Sequence, residues 1–441
     1  MNFWFQVQCS LVVLTFGTLV SVRAQSVANT VQTLSLADAK QFAFERNWTL
    51  LAAKSSVDAA TAQLIIAKEF PNPVASLSTY KIGEQTAGTA LGNGIWERNY
   101  DSYVAVSQFF EIAGKRHNRQ LAAKEGVLGA KARFFDAKRL LDQGVTKAYV
   151  AALLAGENAR NLGESAGYMR HEASIAEAQH QAGDLSEVDM KTIEVNAEQF
   201  EAQARTAAAA AVQARIAVEV LMGAPKPSGN WAATDKLETL VNQIPPGEAS
   251  NPTTKAERPD VFAAETDLRA AEANLKLQKA ERIPDPTIFV GAEHNPPGGG
   301  PVEDTINIGV SFPLPLWNQN GGNIKAAKAA ADQSRIALEQ LRAQAVADLA
   351  TAKAEYDEAH QRWLRYRDQT APKSAKVRAA MEFKYEKGAA TLVDLLNAEQ
   401  TDNTVRLAFA QAMNDAASAA ADLTAARLTL SERELSWESW K

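Results

Sequence analysis

Cysteine is almost missing from this chain: Cys9 is the one cysteine among 441 residues. It lies in an apolar N-terminal run, so the chain beyond that run can form neither a disulfide nor a thiolate metal site. Proline is absent from 74 to 224, and a stretch that long without a helix breaker permits very long helices. An excess of positive charge is also lacking. The net charge is −6, which removes the basic stripe a nucleic-acid partner requires. Beyond the N-terminal run, no apolar segment is expected to reach the ~20 residues of a membrane-spanning helix. Catalytic motifs are missing as well. No Ser-His-Asp spacing, phosphate loop or nucleotide fingerprint occurs, and Gly298-Gly299-Gly300 is followed by no Lys-Ser/Thr and helix start. The five histidines (His117, His171, His180, His294 and His360) form no i,i+4 pair. No catalytic residue, cofactor or metal ligand set is therefore expected, and the chain is not read as an enzyme.

The strongest positive feature is a repeat. Ala182-Gly183-Asp184-Leu185-Ser186-Glu187-Val188-Asp189 returns as Lys387-Gly388-Ala389-Ala390-Thr391-Leu392-Val393-Asp394. Pro71-Asn72-Pro73 returns as Pro284-Asp285-Pro286, and Val106-Ser107 as Val310-Ser311. A long internal period of this kind describes architecture. Each half reads as helix, Pro-x-Pro, strand, loop, strand, very long helix, Gly turn and helix.

Residues 1–24 read as an export signal, with Val22-Arg23-Ala24 as a small-x-small cleavage site. Gln6-Val7-Gln8 before Cys9 does not fit a lipidation site, so no lipid anchor is expected there. The first repeat occupies 25–223. A helix is expected over 35–70, stopped by Pro71 and Pro73. Strands follow at about 74–82 and 101–112, and long helices at about 115–182 and 184–222. The join, 224–257, is broken by five prolines and is expected to add a small helix or strand outside the main rod. The second repeat, 258–431, is expected to hold strands at about 286–293 and 304–314 and helices at about 321–387 and 389–431, before a tail at 432–441.

In the second hairpin, Ile306, Ile308, Val310 and Phe312 alternate with Thr305, Asn307, Gly309 and Ser311, a period of two with one apolar and one small polar face. The long helices carry a coiled-coil spacing: Leu338, Leu341, Ala345, Leu349, Ala352, Tyr356, Ala359, Trp363 and Tyr366 follow steps of three and four. Gly167 and Pro372 are expected midway breaks. Gly183 and Gly388 supply left-handed helix ends, and Ser186 and Thr391 cap the next helices. Four strands cannot close a barrel, and an open sheet edge is not tolerated in lipid. If the strands span a membrane, several copies must share one barrel.

These features together resemble the outer membrane efflux, or TolC-like, family over about residues 34–430. Within it the chain looks most like outer-membrane subunits of heavy-metal exporters of the cobalt–zinc–cadmium or copper type. The segments carrying the closer likeness are Gln108 to Arg116 and Pro313 to Gly322. The resemblance implies a mainly α fold with β: a tandem-repeat, long α-helical coiled-coil barrel plus four strands per protomer, contributing to a trimeric, twelve-stranded transmembrane β-barrel. It implies a homotrimer in outer-membrane lipid, a helical tunnel in the periplasm, a periplasmic adaptor and an inner-membrane pump of the resistance-nodulation-division type. The implied role is the exit duct of a tripartite efflux system, exporting heavy-metal cations. Export of drugs or other organic solutes, or type I protein secretion, is the alternative; a secreted coiled-coil protein without a pore is another.

By the same resemblance, loops 83–100 and 294–304 face outward. Gly183, Leu185, Ser186, Asp189, Gly388, Thr391, Leu392 and Asp394 form adaptor-docking tips. Asp394 matches a carboxylate ringing the closed entrance, where like-charge repulsion would raise its pKa. Asn397 stands where relatives carry a second ring carboxylate. Asp189 and Tyr385 match positions that hydrogen-bond across the closed entrance, and Ala390 replaces the arginine of that latch.

Overall fold

The computed structural model describes residues 32–80, 101–243, 258–295 and 304–429. The export signal with Cys9, positions 81–82 of the first expected strand, all of loop 83–100, most of loop 294–304, positions 244–257 of the join and the C-terminal tail lie outside them.

Two antiparallel hairpins, one from each repeat, meet edge to edge in a single sheet ordered β2-β3-β5-β6. The strands are β2 (Val74–Tyr80), β3 (Asp101–Phe109), β5 (Thr287–His294) and β6 (Asp304–Ser311). Register sorts their side chains by period two. Leu77 opposes Val104, which opposes Ala292, which opposes Ile306; Val106, Val290 and Ile308 form the neighbouring row. This face is apolar and exposed. The opposite face carries Ser76, Ala105, Gly291 and Asn307 in one row. On it the rings of Tyr103 and Phe289 lie over Gly291 and Gly309, where a Cβ would collide with them.

The helices are α1 (Leu36–Arg46), α2 (Trp48–Lys68), α3 (Lys115–Ala182), α4 (Glu187–Leu221), α5 (Leu237–Gln243), α6 (Pro259–Ala280), α7 (Gly321–Arg365), α8 (Ala371–Glu386) and α9 (Leu392–Arg427). At 1.5 Å per residue α3 is about 100 Å long. It packs against α2, α4, α6 and α9, while α7 packs against α6 and α9. On α7, Leu338, Ala352, Ala359 and Trp363 are buried, and Leu349, expected in the same seam, stays 38 % exposed.

Three expectations need correction. The single helix over 35–70 is two helices, because Asn47 ends one and starts the next. Its backbone is extended, its Oδ1 accepts from Leu50 N at 3.1 Å, and its Nδ2 donates to Leu221 O at 2.8 Å. The midway breaks differ between repeats. Helix α3 runs straight through Gly167, whereas α7 and α8 are separated by a π turn, Tyr366–Thr370. Pro372 explains the difference: it has no N–H to donate, and its ring displaces the preceding turn. Finally, α2 is long and apolar enough to cross a membrane by length and composition, a segment the sequence reading did not pick out; it packs along α3.

The join contributes β4 (Trp231–Ala233), which pairs in parallel with β1 (Gln32–Leu34), and α5. Tyr149 of α3 anchors this belt. Its ring stacks on Trp231 at 5.7 Å, and its single hydroxyl proton is shared between two acceptors, Leu34 O at 2.8 Å and Asp235 Oδ2 at 2.9 Å. Burial, then Asp235, push this phenol far above its ordinary pKa, so it stays a donor.

Where strands become helices, the two repeats are stapled by charge. Lys115, 2 % exposed, donates to Asp285 Oδ2 and to Ile283 O, each at 2.6 Å, while Asp285 Oδ1 accepts from Ile112 N at 2.9 Å. Glu111 pairs with Arg119 beside it. Replacing one member of the buried pair strands the other charge. Lys115→Met is expected to destabilise the protein by about 3–5 kcal/mol. A lowered thermal midpoint in detergent checks this, with Lys115→Met/Asp285→Leu recovering part of the loss. Asn47→Ala, which removes a cap and leaves Leu221 O unpaired, is expected to cost about 1–3 kcal/mol by the same assay.

Candidate functional site

At the end of the helices away from the sheet lie the two repeated turns. Gly183 has φ 86° and Gly388 φ 70°, left-handed values that side-chain-bearing residues avoid. Each closes its helix in the same way. Gly183 N donates to His180 O and Asp184 N to Gln179 O; Gly388 N donates to Tyr385 O and Ala389 N to Lys384 O. These are Schellman closures.

The next helix starts at once. Ser186 Oγ accepts from Asp189 N at 3.1 Å and donates to Asp189 Oδ2 at 2.7 Å. Thr391 Oγ1 accepts from Asp394 N at 3.2 Å and donates to Asp394 Oδ2 at 2.6 Å, and Thr391 N donates to the same oxygen at 3.0 Å. The second turn is a complete capping box. The repeated Gly, Ser/Thr and Asp thus have local folding reasons.

The two valines do not. Val188 is 74 % and Val393 63 % exposed, in the first turn of α4 and of α9. Val188, Lys191, Thr192 and Val195 border an open groove of about 490 Å³ on α4. Leu185 packs inward instead, against Ala176, Met190 and Ile193. The side chain of Leu392 lies outside what the structure describes.

Asp394 is exposed, and its carboxyl sits below the usual carboxylate range because the Thr391 hydroxyl and then the Thr391 N–H stabilise its charge. Within one chain this is opposite to the rise expected from a ring of three. Asn397 is exposed one turn on, and its carbonyl accepts from Thr401 Oγ1 at 2.7 Å. Asp189 is tied to Ser186 and Tyr385 is half-buried on α8; no hydrogen bond joins them among the described residues. Burial, then Glu172, push the Tyr385 phenol up, and burial raises Glu172 itself.

Above the tips lies a layer of charge that the sequence reading missed. Arg378 of α8 reaches Glu382 at 3.3 Å, Glu399 at 3.1 Å and Asp402 at 3.5 Å. Buried Asp402 also pairs with Arg406 at 2.9 Å, and Arg406 reaches Glu164 of α3 at 3.8 Å. Burial alone would depress the Arg378 guanidinium; Glu399, Glu382 and Asp402 outweigh it and raise the pKa. The legible signal was spacing: Arg378 and Glu382, and Glu399, Asp402 and Arg406, recur at three- and four-residue steps on neighbouring helices. Among the described residues, no group of three His, Cys, Asp or Glu is arranged to hold a metal ion.

A four-stranded sheet with one apolar face, continued by helices up to about 100 Å long that turn at capped tips, defines a channel subunit of an outer membrane. The outer membrane efflux protein model matches residues 40–224 and 252–427, and the chain belongs to that family. It is 23 % identical over 383 residues to the cobalt-zinc-cadmium resistance protein CzcC of Cupriavidus metallidurans, covering 85 % of each chain. Three solved structures share the fold. A membrane protein from Pseudomonas aeruginosa has TM-score 0.72 and 20 % identity, covering 89 % of this chain and 93 % of that one. CusC has TM-score 0.70 and 17 % identity, covering 89 % and 91 %. VceC from Vibrio cholerae has TM-score 0.69 and 17 % identity, covering 89 % and 95 %. The protein is an outer-membrane efflux channel of the kind used in tripartite systems, with its helices forming the periplasmic tunnel, and it is not an enzyme.

The capping box makes the start of α9 acid-sensitive. The folded pKa of Asp394 lies below its unfolded value of about 3.9, so its contribution is complete above that value and is lost as pH falls through the folded one. Hydrogen exchange in the first turn of α9, corrected for intrinsic rates, is expected to show equal protection at about pH 7 and pH 5 and less below about pH 4. Asp394→Asn is expected to show the reduced protection at every pH.

Proposed function

We propose that this protein is the trimeric exit duct of a tripartite complex that removes heavy-metal cations, working with a periplasmic adaptor and an inner-membrane pump of the resistance-nodulation-division type. One observation carries the assembly: β2 and β6 are edge strands of a four-stranded sheet whose exposed face is apolar. In lipid their unpaired backbone groups require strands from other copies. Three copies would supply twelve strands, within the size range of outer-membrane barrels.

The metal reading is supported by the likeness to CzcC, a cobalt-zinc-cadmium resistance protein, and by the charge state of Asp394. Thr391 holds each carboxyl low while repulsion across the axis pushes it up, so the ring stays ionised at neutral pH and favours cations. Asn397 in place of a second carboxylate leaves one ring per entrance. Val188 and Val393 support adaptor docking, because both apolar side chains are held out at the tips and stay largely exposed among the described residues. Tyr385 and Asp189 would act as an entrance latch by hydrogen bonding across the closed entrance.

Single-channel recording in a planar bilayer, with oligomer mass measured on the same sample, tests the duct. The expected result is a trimer with small, cation-favouring conductance; a monomer without conductance overturns it. Asp394→Ala is expected to raise conductance or weaken cation selectivity by a few-fold, and unchanged conductance removes the ring. Growth of a deletion strain on cobalt, zinc, cadmium and copper, against drugs, tests the cargo, with rescue only on drugs overturning the metal reading. Gly183→Val and Gly388→Val are expected to abolish cross-linking to the adaptor while the trimer persists.

A further inference from the structure

The connections between strands and helices form a collar that neither the tunnel nor the tips account for. Phe70 (after α2), Ile283 (after α6), and Leu314, Leu316 and Trp317 (after β6) are all exposed, Trp317 to 94 %. Phe312 and Leu314 continue the even-numbered alternation of Ile306, Ile308 and Val310, so the apolar face of the sheet extends past its last ladder bond. Pro313 holds this extension out of helical conformation. The segment that carries Trp317 is tied to the last turn of α6 three residues further on, where Asn320 Nδ2 donates to Gln278 O at 2.8 Å.

Cations stand at the same level. Lys68 ends α2, Lys279 and Arg282 close α6, and Lys325 lies just past the first turn of α7. Among the described residues none of the four has an ion-pair partner; Arg282 donates to the neutral Gln319 at 2.7 Å. The nearby acids are largely spent elsewhere. Glu111 is held by Arg119 and Asp285 by Lys115, while Glu281 lies 3.9 Å from Lys115. Glu69 alone is left exposed and unpaired. The collar therefore sets an apolar, Trp-tipped band against a belt in which positive charge is in excess.

We propose that this collar binds the headgroups of anionic phospholipids in the periplasmic leaflet of the outer membrane, with Trp317 at the acyl–headgroup boundary and Lys68, Lys279 and Arg282 on the phosphates. Two chemistries on the page meet the two parts of such a lipid. Indole places an apolar ring and an N–H at the level where acyl chain gives way to headgroup. Lysine and arginine beside it attract a net negative headgroup over a zwitterionic one. A second copy is the competing occupant of the apolar band. Charge favours lipid over it, because a neighbouring copy would bring the same excess of cations to the same level.

The test uses the full-length protein in phosphatidylcholine vesicles with and without phosphatidylglycerol, with the lipid brominated near the headgroup as quencher. Wild type is expected to show a quenched tryptophan component that Trp317→Phe removes, and to prefer phosphatidylglycerol several-fold. Lys68→Gln, Lys279→Gln and Arg282→Gln are each expected to reduce that preference by up to about fivefold, and added salt to erode it. The band is overturned if Trp317→Phe leaves quenching unchanged, or if it lowers the oligomer mass, which would assign the ring to a second copy. The charge belt is overturned if the three glutamine substitutions combined leave the lipid preference intact. The glutamine variants keep Trp317, so retained quenching in them shows that they have folded and inserted.

Discussion

A backbone N–H or C=O cannot face hydrocarbon without a partner, and the architecture of this chain follows from that constraint. Each repeat can supply only one hairpin. Pairing of β3 with β5 joins the two hairpins and satisfies the inner edges, leaving β2 and β6 as the outer ones. Because every strand is continuous with a helix, the spacing of the strands also dictates where the helices stand. The sheet thus sets the spacing of a helical layer roughly 100 Å deep.

Passing from one layer to the other is the hardest step for the chain, and polar staples are concentrated there. Lys115 and Asp285 come from different repeats and bury their charges together, with main-chain groups of Ile112 and Ile283 completing the set. The positions corresponding to this pair, Asn72 for Asp285 by the repeat and Gly321 for Lys115 as first residue of its helix, are uncharged. The duplication has diverged where it is mechanically important. It has diverged again halfway down, where α3 is uninterrupted and the second repeat has a π turn before Pro372. Arg367, stacked over the Trp363 ring at 4.9 Å, covers that irregular turn.

The tips show how a repeated phrase can hold two meanings at once. Gly183 with Ser186 and Asp189, and Gly388 with Thr391 and Asp394, are close to the minimum set for stopping one helix and starting another within four or five residues. That requirement accounts for their recurrence before any partner is considered. Exposed Val188 and Val393 are what local folding leaves unexplained, so they carry more of the docking argument than the aspartates do. The Arg378–Asp402–Arg406 layer ties α8 and α9 to α3 just above, so movement at the tips must pass through it.

Periodicity and punctuation were readable in the linear chain because they act between near neighbours. The period-two alternation of Ile306 to Phe312, the stops at Pro71 and Pro284 and the left-handed glycines each depend on residues within one or two turns. The repeat made the two halves legible together. Asn47 was missed although its capping chemistry is local, because the apolar pattern continues on both sides and Leu221, its second partner, is distant in sequence. The ion-pair layer, the Tyr149–Trp231 stack and the β1–β4 pairing were invisible for a related reason: each joins segments tens to hundreds of residues apart, and sequence spacing says nothing about which of many possible partners folding will bring within 3 Å. The sequence by itself determined which segments are helix, strand or turn, since those choices are settled by short-range sterics and hydrogen bonding. Only the tertiary structure decided which face is apolar across four strands, which charges are spent on each other and which remain free, because these depend on register and burial created when distant segments meet.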